Sequence, residues 1–74
     1  MKIDTLVIVD NIKQEYKINI ANAEIFSWDN VEQWQPKEKE YKIIYIDSNL
    51  NIDEVLTKVQ NKGVKVVAAA WRKF

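Results

Sequence analysis

The chain has 74 residues, with eleven basic residues balanced by eleven acidic ones and neither cysteine nor histidine. That length allows a single domain, residues 1–74, with a thin core worth roughly 3–5 kcal/mol of net stability. The composition excludes disulfides, thiolate chemistry, the usual zinc ligands and an imidazole base, and the neutral charge gives no whole-molecule attraction to nucleic acid or anionic lipid.

The first apolar stretch, Ile3 to Val9, is hydrophobic on both faces, with Thr5, Val7 and Val9 on one side and Leu6 and Ile8 on the other. This pattern predicts a strand covered on both sides. Asp4 and Asp10 bracket it, which argues against a cleaved signal peptide. No apolar run approaches the roughly 20 residues needed to cross a bilayer, so a cytoplasmic location is the expectation. Asp10–Asn11 then reads as the tight turn of a hairpin. The following residues alternate, with Ile12, Tyr16, Ile18 and Ile20 on one face and Lys13, Glu15, Lys17 and Asn19 on the other. They predict a peripheral second strand whose lysines protect an edge.

A third strand is expected through "AEIFSW", followed by a short turn, "DNVEQW", and the charged loop "QPKEKE". "YKIIYID" predicts another strand that is apolar on both faces. A helix follows, with Asn51 as its cap, Glu54 three residues later, and Leu50 and Val55 placed as a hydrophobic staple. Ile52, Val55, Leu56 and Val59 form its apolar stripe, and Gly63 stands where a left-handed cap ends it. "VKVVAAAW" closes the chain as a strand parallel to "YKIIYID" in a β-α-β unit. The predicted fold is a small α+β domain. It has a mixed sheet of about five strands, an N-terminal hairpin or meander, and one main helix on one face.

One helix covers one face, so the second face needs a roof. Trp28 and Trp34 are the natural candidates, either as cover for the chain's own core or as anchors for another molecule. In the second role Trp34, flanked by Gln33 and Gln35, stands exposed, and Trp28, Trp34, Gln33 and Tyr16 form the candidate partner-binding set. In the first role Trp28 and Trp71 pack on the bare face.

Asp47 and Ser48 fall at a strand's carboxyl edge before a helix start, a common ligand position. The loop lacks glycine, lysine and arginine, however, and such residues are also what capping requires. A metal-dependent reaction would rest on the carboxylates of Asp47 and Asp53, and no cofactor is expected. Lys65, Trp71, Arg72 and Lys73 make an alternative, basic and aromatic nucleic-acid surface, although Arg72 falls on the opposite strand parity. The leading expectation is a protein that binds another protein or itself, possessing no catalytic group set. Its size and neutrality fit an inhibitor or adaptor of the kind that phages and mobile elements encode.

Overall fold

The computed structural model describes residues 3–74. Its first strand, β1 (Thr5–Val9), is buried at every position and lies inside a four-stranded sheet. The neighbours are β2 (Ala23–Ser27) on one side and β4 (Ile43–Asp47) on the other, with β6 (Ala69–Arg72) beyond β4. Two further strands, β3 (Glu40–Tyr41) and β5 (Lys65–Val66), pair with each other. They lead into β4 and β6, and the same register offset holds on both sides of the interruption. The chain is thus an α+β domain of six short strands and one main helix, α2 (Ile52–Asn61).

All the strand pairings among the described residues are parallel. The hairpin expected at Asp10–Asn11 is therefore absent, and with it the mixed character of the sheet. Asn11 caps a one-turn helix instead, α1 (Ile12–Glu15). Its side chain accepts from the Lys13 N–H at 3.1 Å, and Gln14 Oε1 accepts from the N–H groups of Asn11 and Asp10. This is a capping box, and it outcompetes the turn because it satisfies donors at both ends. The alternation from Ile12 to Ile20 directs no strand: Ile12 and Tyr16 are exposed, and the segment serves as the crossover that two parallel strands require. Asn22, with φ 58°, ends it, and its carbonyl accepts from the N–H groups of Asp4 and Thr5.

The two faces of the sheet are covered differently. Leu6, Ile8, Phe26, Ile44 and Ile46 share one core with Val55 and Val59 of α2 and with Val31 and Trp34 from the β2–β3 connection. Val7 and Val9 point the other way and are fully buried outside that core. Right-handed crossovers running outward in opposite directions place segment 10–22 on this second face.

Helix α2 forms where its local signals predict. The Asn51 side chain accepts from the Glu54 N–H at 3.0 Å, and Gly63 adopts φ 87° just past the last turn. Val55 and Val59 are buried, each worth roughly 1.5–3 kcal/mol. Asn51→Ala is expected to cost about 1 kcal/mol in urea unfolding, the usual loss for an N-cap. An unchanged midpoint would mean the cap contributes nothing.

Candidate functional site

Trp34 is in the core. It is 9% exposed, stacks on Phe26 with ring centroids 4.0 Å apart, and donates its indole N–H to Glu24 Oε2 at 2.7 Å. The exposed anchor expected at this position is thereby corrected: the ring roofs the sheet. Turn geometry puts it there, since Trp28–Asn30 forms a 3-10 turn and the Trp34 N–H continues the winding to the Asn30 carbonyl at 3.0 Å. Lys62 secures the roof from α2, with Nζ donating to the Trp34 carbonyl at 2.9 Å and lying 5.9 Å from the ring centroid. Lys58 adds an exposed ion pair to Glu32 at 2.9 Å, and that contact holds the Glu32 carboxyl below its ordinary range.

Glu24 organises this region. Its carboxylate is buried, yet it accepts from the Trp34 indole, from the Lys37 backbone N–H at 3.2 Å and from the Tyr41 hydroxyl. Three donors on one carboxylate compensate a charge that would otherwise be costly to bury. Tyr41 is fully buried, and burial first, then its bond to Glu24, raises its phenol well above the ordinary range. Nothing in the local spacing marks this cluster, because its members come from β2, the connection and β3.

The other expected residues separate. Trp28 is half-buried against the main core, Gln33 is exposed on the roof turn, and Tyr16, 84% exposed, closes α1 in the crossover. Trp71 does not cover a bare face: it shares the α2 side with its register partner Ile46 and is 60% exposed. Lys65 is paired with Glu40 at 3.4 Å. Arg72 and Lys73 turn toward a groove of about 370 Å³ between segment 17–20 and the chain's last residues. The Arg72 guanidinium lies 5.5 Å from the Tyr45 ring centroid and 5.6 Å from that of Phe74. The four residues of the nucleic-acid set are therefore not one surface, while Lys17 joins two of them.

Asp47 is buried, with Oδ1 accepting from the Asn49 N–H at 3.0 Å and its carbonyl accepting from the Leu50 N–H. It shapes the turn into α2, although its Oδ2 has no hydrogen-bond partner. Ser48 and Asp53 are exposed. Among the described residues no three acidic groups are placed to hold a metal ion, and no helix is long and apolar enough to cross a membrane.

The four-stranded sheet ends at β2 on one side and at β6 on the other, and it is at β6 that large apolar side chains stand exposed. This strand pairs only with β4. The Ile44 N–H donates to the Ala68 carbonyl at 2.9 Å and the Ser48 N–H to the Arg72 carbonyl at 3.0 Å, so the even-numbered residues face inward. The backbone groups of Ala69 and Trp71 consequently face outward. No charge interrupts Val66 to Trp71, and Val67 and Trp71 are 59% and 60% exposed. Edges are ordinarily blunted by lysine or proline, neither of which occurs within this run, although its strand is interrupted at Val67–Ala68. The uncharged run is readable in the sequence, whereas the lysine-bearing stretch Ile12 to Ile20 forms no strand and guards no edge.

Two stability effects follow from the Glu24 cluster. Trp34→Ala is expected to cost about 3–5 kcal/mol, nearly the whole stability of a chain this size, as read by denaturant melts. Above pH of about 10 the unfolded phenol of Tyr41 ionises while the folded one stays protonated. The unfolded state then binds fewer protons, so stability present below that pH falls as pH rises, by up to about 1.4 kcal/mol per unit. Tyr41→Phe should flatten this slope, and an equal slope in both proteins would contradict the assignment. Searches of protein-family models, curated proteins and solved structures find no match to the chain.

Proposed function

We propose that the chain is a binding module that takes up an extended segment of another polypeptide along β6. The observation that carries this is a strand paired on one side only, free of charge from Val66 to Trp71, with two large exposed side chains beside it. Strand addition draws affinity from main-chain hydrogen bonds, and Ala69 and Trp71 offer two N–H and two C=O groups for them. The alanines let a second backbone approach closely. Trp71 supplies the anchor, in keeping with the prominence of tryptophan at interface hot spots. Binding rather than catalysis belongs to the same proposal, since the chain has no histidine or cysteine to serve as base or nucleophile. A cytoplasmic setting goes with it.

A second reading is favoured by one feature, the groove rimmed by Lys17, Arg72 and Lys73 with aromatic Phe74 in its wall. Such a surface suits a single-stranded nucleic acid, and its binding would weaken steeply with added salt.

The test uses peptides selected against the chain from a random display library. Trp71→Ala should weaken the selected peptides about tenfold or more, an effect near 1.4 kcal/mol, while leaving the melting midpoint nearly unchanged. Ala69→Pro should do the same, because it deletes an outward N–H and spares the ladder to β4. Peptides indifferent to both substitutions would place binding elsewhere. Salt-sensitive capture of a single-stranded oligonucleotide, abolished by changing Arg72 and Lys73 to alanine, would favour the second reading.

A further inference from the structure

We propose that the polypeptide taken up at β6 is a second copy of this chain, joined antiparallel across a two-fold axis at Ala70; this rests on the reading of the β6 edge as the interaction surface. The inward and outward alternation of β6 limits the possible registers. Within the strand only Ala69 and Trp71 present free backbone groups. A two-fold pairing that uses both sets Ala69 opposite Trp71 of the second copy and Trp71 opposite its Ala69. Ala70 then faces Ala70. All the outward N–H and C=O groups of β6 on both copies are satisfied in this register.

The side chains agree with it. On the α2 side, each Trp71 lies over the methyl of the opposing Ala69, where no bulk obstructs it. The exposed Trp71 ring of each copy thus lies over the edge of the other. On the opposite side Arg72 faces Ala68, so no like charges meet directly. The chain's zero net charge leaves no long-range repulsion between copies. The product is one continuous sheet of eight strands, in which neither β6 remains an edge. The ladder is short, so the dimer dissociates on dilution.

Sedimentation equilibrium over a concentration series tests this, with Ala70→Lys and Ala70→Glu as the variants. Ala70 sits on the axis, so either variant alone brings like charges face to face, whereas a one-to-one mixture brings opposite charges together. The expected result is a wild-type mass that doubles with concentration, association about tenfold weaker in each variant alone, and recovery in the mixture. A dimer indifferent to both variants would mean that the copies meet elsewhere and would overturn the proposal. A wild-type chain monomeric throughout would overturn it too. Amide exchange at Ala69 and Trp71 then separates the two readings. Fast exchange in the monomer leaves the edge free for a foreign segment, and slow exchange shows it occupied, which removes the edge reading as well.

Discussion

A single buried carboxylate holds the roof of this protein in place. Glu24 sits on a strand between apolar neighbours, where an unpaired charge would cost several kcal/mol. It is tolerated because Trp34, Lys37 and Tyr41 all donate to it. Those three donors span the connection around Pro36, so one side chain fixes the path of a loop that has no regular structure of its own. With the loop fixed, the Trp34 ring lies flat on Phe26 and closes the core above β1 and β2. Helix α2 closes the remainder, and its Lys62 reaches back to the Trp34 carbonyl. The two tryptophans in a polar segment are thus explained by what lies beneath them.

This economy has a consequence for the rest of the sheet. The chain spends its β2–β3 connection and α2 on one face, and its β1–β2 crossover on the other. At the β6 side little remains to cover the margin. Trp71 and Val67 stay largely in solvent, beside backbone groups that have no ladder partner. A thin domain can tolerate an open edge, but an apolar one invites another strand. The proposed function and the proposed two-fold pairing are both readings of that margin.

Some of this was legible from local spacing. Asn51, Glu54 and Gly63 marked the ends of α2, and the β-α-β arrangement gave the parallel pairing of β4 and β6, because each signal lies within a few residues of what it controls. The crossover is hidden in the sequence for a physical reason. Asn11 and Gln14 carry the same box spacing as Asn51 and Glu54, yet the period-two alternation of isoleucines outweighed it. Only burial distinguishes the two, and Ile12 and Tyr16 are exposed. The parallel pairing of β1 with β2 followed from that helix turn, and was hidden along with it. Glu24 was invisible because a glutamate in a strand ordinarily faces water. Its partners lie 10, 13 and 17 residues away, beyond any local rule. Trp34 and Trp71 exchanged their expected roles for the same reason: a ring's neighbours across the fold decide its exposure.

The most direct test of this arrangement is the exchange of the three indole N–H protons with solvent, followed by NMR in a dilute sample. The account predicts that the Trp34 proton, bonded to the buried Glu24 carboxylate, exchanges slowest, at a rate set by global unfolding. The Trp71 proton should exchange fastest, within the dead time of the experiment. A fast Trp34 proton alongside a protected Trp71 proton would contradict the account, since the roof and the open edge would then have changed places.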